Sequence, residues 1–152
     1  MKYEVYNNIR ATEDLSVINF TSEGRRGSIP KRIVFEATEW ENVYNLAFGD
    51  IDEKSEIDNY SISDNGDRNM ILATIVSVIK AYTEKYPDRL ILFRGSTQER
   101  TRLYRMAIGL NITELSADFD IYAYVGEEVL PFTPNMEITA FLVMRKKRKF
   151  VL

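Results

Sequence analysis

The stretch DRNMILATIVSVIKAYTEKYPDRLILF, residues 67–93, decides the fold class. Ile71, Ile75, Val78, Ile79 and Tyr82 recur at the helical period of 3.6 residues, and Leu72 and Val76 widen the apolar stripe. Asp67 or Asn65 is placed to cap the helix start, and Tyr86-Pro87-Asp88 stops it near Lys85. Leu90-Ile91-Leu92-Phe93 is then an unbroken apolar run of strand length, as expected of a strand covered on both faces. A central core helix followed by an inner strand predicts a mixed α+β domain.

Toward the N-terminus the period changes to two. Ile33, Phe35 and Ala37 alternate with Arg32, Val34 and Glu36 from Lys31 onward, and Tyr44, Leu46 and Phe48 alternate with Val43, Asn45 and Ala47 within Val43 to Ile51. Thr38 to Asn42 is short enough for a hairpin. Ile57 to Ser63 alternates through Tyr60 and Ile62, completing a three-strand antiparallel meander. Tyr3 to Ile9 and Leu15 to Thr21 read as two short strands, followed by a turn, Gly24-Arg25-Arg26-Gly27, within Ser22 to Ser28. Toward the C-terminus, Gly95-Ser96-Thr97 leads into a second helix, where Ser96 and Glu99 have capping-box spacing and Leu103, Met106, Ala107 and Leu110 supply the predicted buried stripe. Phe119 to Val125 and Ile138 to Arg145 read as two final strands joined by a proline-containing connection, residues 126–136. The expected organisation is one domain over residues 1–152, with N-terminal strands at 1–28, a core at 31–145 and a basic tail at 145–152.

Composition removes several chemistries. The 152 residues are 45% hydrophobic, enough for one packed core, and contain no cysteine and no histidine. That excludes disulfides, thiolate nucleophiles, Ser-His-Asp triads and Cys or His metal cages. Proton transfer is left to carboxylates, Lys, Tyr or water, and metal binding to Asp and Glu; the sets Asp50, Asp52, Asp58 and Asp64, Asp67 have no ordered ligand spacing, so no metal is predicted. The net charge of −3 divides unevenly, because Arg145 to Lys149 is a run of five basic residues on an acidic body. The longest apolar stretch, Met70 to Ile79, is too short to cross a bilayer, and MKYEVYNNIR has no signal-peptide core, so a cytoplasmic protein without membrane attachment is expected.

Arg94-Gly95-Ser96-Thr97, with Arg100, is the best candidate site. It reads either as an anion site built from helix N–H groups, hydroxyls and a guanidinium or as an ordinary capped helix with solvated arginines. Arg100, Arg102 and Arg105 cannot share one helical face. Tyr104 reads as a general acid or as a half-buried aromatic. Glu36, Glu39, Glu41, Asp50 and Asp52 lie where a base could sit, or are surface carboxylates. The basic run, extended by Arg25-Arg26, is a possible but disfavoured nucleic-acid contact on an acidic body. Tyr122, Tyr124, Phe141 and Trp40 form either an exposed patch for a dimer or ordinary core.

From Lys31 the predicted order of three strands, helix, strand, helix and two strands resembles the core of the Gcn5-related N-acetyltransferase superfamily. The resemblance implies a coenzyme A pyrophosphate turn at the first helix start, here Ser63-Asp64-Asn65-Gly66-Asp67-Arg68 with Asn69, and a pantetheine wall at Gly95, Ser96 and Thr97 with Arg100 nearby. It also implies a thiolate-protonating tyrosine at Tyr104, since Thr97 to Tyr104 keeps the Leu-Tyr pair of the superfamily's Asn-x-x-Ala-x-x-Leu-Tyr pattern. The asparagine and alanine of that pattern are absent, only Gly66 of the turn glycines matches, and Asp64 and Asp67 put negative charge beside a pyrophosphate. Tyr44 to Asp50, Asn65-Gly66-Asp67, Arg94-Gly95-Ser96 and Arg100 to Tyr104 more specifically resemble a small uncharacterised bacterial domain family. The expectation is a non-catalytic binding or interaction module without a cofactor, partnered by another protein or by a second copy. The alternatives are an acyl-coenzyme A dependent N-acyltransferase using Gly66, Arg68, Asn69, Gly95, Ser96, Thr97, Arg100 and Tyr104, and a nucleic-acid-associated protein using the basic tail.

Overall fold

Alternating apolar residues pair nine strands into one mixed sheet, described by a computed structural model over residues 3–58, 64–95 and 97–147. The strands are β1 (Arg10–Ala11), β2 (Val17–Gly24), β3 (Gly27–Ala37), β4 (Val43–Ile51), β5 (Ile57–Asp58), β6 (Leu90–Phe93), β7 (Phe119–Val125), β8 (Glu128–Pro131) and β9 (Ala140–Arg145). The helices are α1 (Arg68–Lys85), α2 (Gln98–Leu110) and α3 (Ile112–Leu115). Strand order is β1-β2-β3-β4-β6-β9-β7-β8, with β5 folded back on the end of β4. β4 and β6 are the parallel pair, joined through α1 as a strand-helix-strand crossover.

One sheet face carries the core. Ile33, Ile91, Phe141 and Ala123 are completely buried, and α1 lays Ile71, Ile75, Val78, Ile79 and Tyr82 against that face. The Tyr82 ring stacks on Phe35 with centroids 3.8 Å apart. The predicted stripe of α1 is therefore the one that is used. Arg89, just past the helix, lies over the Tyr86 and Tyr44 rings at 3.7 and 4.1 Å and donates to the Tyr82 hydroxyl at 2.7 Å, clamping the α1 exit onto β4.

Several expectations are corrected. Residues 3–9 form no strand; Tyr6 instead plugs the core, its N–H donating to Thr74 Oγ1 of α1 at 2.9 Å. Leu15 has φ of +59° in a turn, so the next strand begins at Val17 and continues to Gly24. β3 starts at Gly27 rather than Lys31, pairing Gly27 with Gly24 across a two-residue tip, Arg25-Arg26. The third meander strand is seen only as β5; residues 59–63, including Tyr60 and Ile62, lie outside the described residues. The connection at 126–136 holds β8, an exposed edge strand, and the last strand starts at Ala140 rather than Ile138.

The largest correction concerns α2. Leu103, Met106 and Leu110 are exposed, Leu110 to 85%, while Thr101, Tyr104 and Ile108 face the core. Gly95 fixes this rotation: a Cβ there would sit 2.5 Å from the Thr101 nitrogen, so only glycine lets β6 turn so closely under the first turn of α2. The four aromatics also separate. Phe141 is core, Trp40 is 57% exposed in the β3–β4 turn, and Tyr122 and Tyr124 are half-buried on the sheet face opposite the helices.

A polar joint ties the β2–β3 tip to the start of α1. Asn65 is 1% exposed; its Oδ1 accepts from the Arg26 N–H at 2.6 Å, and its Nδ2 donates to the Gly27 carbonyl at 2.9 Å and to Ser22 Oγ at 3.1 Å. Its carbonyl accepts from the Arg25 N–H at 3.1 Å, and a Cβ on Gly24 would lie 2.0 Å from that oxygen. Asn65 therefore links the tip rather than capping the helix. Asp67 does occupy the N-cap position, but its carboxylate makes no cap bond and accepts instead from the hydroxyls of Tyr6 and Ser22. Asn65→Ala should cost about 3 kcal/mol, since it strands several buried donors and acceptors. Denaturant unfolding, with exposed Lys54→Ala changing stability by less than about 0.5 kcal/mol as the comparison, checks this.

Candidate functional site

The joint at Asn65 sets one wall of a cleft, and the start of α2 sets the other. Between them is a cavity of about 210 Å³. Phe48 of β4 with Ile71 and Leu72 of α1 make it apolar inside, and Leu103 and Tyr104 of α2 close the far side. Arg68, Arg100, Asp64 and Asp67 stand around it. Arg25, at the hairpin tip, packs over Gly66, which has φ of +79°, and reaches Asp64 at 3.7 Å. The Gly66 N–H bond, followed by the charge of Arg25, lowers the Asp64 carboxyl below its ordinary pKa. Asp67 is occupied by Tyr6 and Ser22, so the arginines outnumber the unengaged acids at this mouth. The rest of the chain is net acidic.

At the cavity floor Lys31 and Asp50 face each other across the β3–β4 register, 2.5 Å apart, with Lys31 1% exposed. Lys31 is in phase with Ile33 and Phe35, and Asp50 with Leu46 and Phe48, so the alternation sends both charges inward, where only pairing makes them tolerable. Asp50 is thus an ion-pair partner. Asp52 bonds its own turn through the Lys54 and Glu56 N–H groups, and Glu36, Glu39 and Glu41 are exposed. No group of three acidic side chains converges among the described residues.

A second crevice, about 550 Å³, opens where β6 ends at Phe93 and β4 runs on past Leu46. Asn45 to Phe48 line one side, and Arg94, Gly95, Thr97 and Gln98 the other. Phe48 belongs to both spaces. Here the start of α2 is already capped: Thr97 is its N-cap, its Oγ1 accepting from the Arg100 N–H at 3.2 Å, and the Gly95 N–H donates to Thr101 Oγ1 at 3.0 Å.

Of the residues singled out from the sequence, the cleft gathers Arg68, Arg100 and Tyr104, with Gly66 beside them. Gly95 and Thr97 line the second crevice, Asn69 lines neither, and Ser96 lies outside the described residues. Arg102 is exposed and Arg105 donates to the Met136 carbonyl at 2.7 Å, so the three arginines of α2 diverge as their spacing requires. In the basic run, Arg145 bonds Thr83 Oγ1 at 3.1 Å and the Lys80 carbonyl at 2.5 Å, while Lys146 bonds the Ser116 carbonyl, so both brace the fold. Arg148 and Lys149 lie outside the described residues. Sequence reading missed Lys31, Phe48, Leu72 and Leu103 as cleft residues; the inward phase of Lys31 was the one signal available.

Tyr104 packs its ring on Phe93, centroids 4.7 Å apart, and burial pushes its hydroxyl up to about 12. At neutral pH it keeps its proton and is a poor acid toward a thiolate, whose own pKa lies near 8.5.

The described residues form a mixed α+β domain with an apolar cavity rimmed by arginines. The chain belongs to the family of unknown function DUF6934, whose model matches residues 2–146. No curated protein and no solved structure matches it. The expected kinship with an uncharacterised family is thereby met.

Two predictions follow from the geometry of the cleft. Lys31→Met should destabilise by about 3–5 kcal/mol by leaving Asp50 buried without its cation, and Lys31→Met/Asp50→Leu should recover most of that loss in chemical denaturation. The Tyr104 pKa is raised above its ordinary 10, so its contribution to stability is complete below pH 10 and lost as pH rises through about 12. Stability measured across that range should fall less steeply in Tyr104→Phe than in the native chain.

Proposed function

We propose that the chain is a non-catalytic binding module on an acetyltransferase-like framework, taking a small ligand with an anionic end and an apolar body. The observation that carries this reading is the cavity beside Leu72, apolar within and flanked by Arg68, Arg100 and Arg25. The starts of α1 and α2 both border it, so their helix dipoles add to the attraction for an anion. Against turnover, Tyr104 holds its proton too tightly, and the cleft carboxylates of the described residues are engaged by hydroxyls, a backbone N–H or an arginine. The helix-free sheet face, with half-buried Val34, Leu92, Tyr122 and Tyr124, supports the interaction side of the reading, with a protein partner or a second copy covering it.

Acyl transfer from a coenzyme A thioester is the second reading, favoured by the divergence of the parallel β4–β6 pair beside Gly95. Calorimetric titration with acetyl-coenzyme A, coenzyme A and pyrophosphate, with thiol release followed in parallel, separates the two. The module reading expects saturable binding, at least tenfold weaker in Arg68→Glu, without thiol release. Amine-dependent thiol release would establish the transferase instead, and no binding of any of these anions at millimolar concentration would overturn the anion-headed cleft.

A further inference from the structure

The cavity at the start of the two helices does not end there. α1 and α2 run in the same direction over one sheet face. Their first turns border the cleft, and Ile75 and Ile79 of α1 lie opposite Ala107 and Ile108 of α2 across a second hollow. That hollow, about 50 Å³, is lined by apolar residues throughout, with Phe93 and Val143 as its floor and Leu115 at its far end. Leu72 lines both spaces, and Tyr104, which walls the first, stacks on Phe93, which floors the second.

Cavity and hollow thus adjoin at Leu72 and at the Tyr104–Phe93 ring pair, as an apolar track along the helix seam. α1 and α2 make few close backbone approaches, and Thr101 is the one fully buried residue of α2. From Arg68 to Ile79 the track follows α1 for about 16 Å at 1.5 Å per residue. At about 50 Å³ the hollow is a third of the roughly 150 Å³ apolar cavity that admits a benzene ring, so an alkyl chain enters it only as α2 moves outward. The charge sits only at the outer end, with Arg68 and Arg100, while nothing polar lines the inner hollow. A track of this kind matches an amphiphile, not a compact polar metabolite.

We propose that the ligand is a single-chain amphiphile, with its anionic head among Arg68, Arg100 and Arg25 and its alkyl chain lying along the α1–α2 seam past Leu72. This rests on the anion-headed cleft reading and adds the chemical class. A free alkyl carboxylate and the acyl chain of a coenzyme A thioester share that chemistry.

The test is calorimetric titration of the full chain with hexanoate, octanoate and decanoate below their micelle concentrations, beside acetyl- and decanoyl-coenzyme A, with decyltrimethylammonium as the cationic control. Burial of each methylene predicts about fourfold tighter binding, so roughly 15-fold per two carbons, and no saturable binding of the cation. Ala107→Leu, which fills the inner hollow from a half-buried position, should weaken decanoate at least tenfold and leave hexanoate unchanged; circular dichroism and the hexanoate affinity report that the variant is folded. A chain-length series seen only with the free acids identifies the carboxylate, and one seen only with the thioesters identifies the acyl carrier; either supports the seam. Acetyl-coenzyme A or carboxylate binding without any chain-length dependence would overturn the seam and leave the cleft reading standing. Chain-length dependence insensitive to Ala107→Leu would also overturn it, and absence of binding by every anion would overturn both.

Discussion

The rest of the structure depends on the hydrogen bonding of one buried amide, that of Asn65. Its side chain and carbonyl satisfy backbone groups at the β2–β3 tip that would otherwise be closed off from water, while Gly24 lets the two backbones approach without a Cβ between them. Asp67, two residues on, adds Tyr6 and Ser22 to the same joint. Three separate parts of the chain are thereby fixed at one corner: the N-terminal segment, the hairpin and the start of α1. That corner is also the cleft wall. Arg25 and Arg68 are held at the mouth because the elements that carry them cannot separate without stranding the Asn65 amide.

The placement of charge follows from that geometry. An acidic chain has little reason to gather arginines, yet the hairpin tip, the α1 start and the α2 start each bring one to the same opening. Beneath them the lining becomes wholly apolar, and the two helices lie parallel with a seam between them rather than interlocking. Lys31 and Asp50 close the floor by neutralising each other, so the polarity of the site is confined to its entrance. Cation outside and hydrocarbon inside is the complement of an anionic head on an apolar body, independent of what the fold resembles.

The parts of this fold that were legible in the sequence are those where one signal dominates. α1 has a single apolar stripe, and β3 and β4 alternate cleanly, so their buried faces were correctly predicted. α2 was misread because it is apolar on two sides: Leu103, Met106 and Leu110 repeat as regularly as Thr101, Tyr104 and Ile108, and the choice between them is made by the close contact at Gly95, which periodicity does not encode. Residues 3–9 alternate like a strand, but Tyr6 serves as a core plug. β8 is exposed along its length, so hydrophobic patterning carries no sign of it. Of the site, Arg68, Arg100 and Tyr104 were reached through order of elements. The role of Asn65 was not, since its partners lie 38 to 43 residues earlier and only the folded chain brings them together.

The central claim is that ligand enters between α1 and α2, and methyl nuclear magnetic resonance of the full chain tests it most directly. With saturating decanoate, methyl signals of Leu72, Ile75 and Leu115 should move, while those of Val34 and Leu142, which belong to the opposite sheet face, should stay in place. Movement confined to that opposite face, or to the outward Met106 and Leu110, with the inner methyls unchanged, would contradict it.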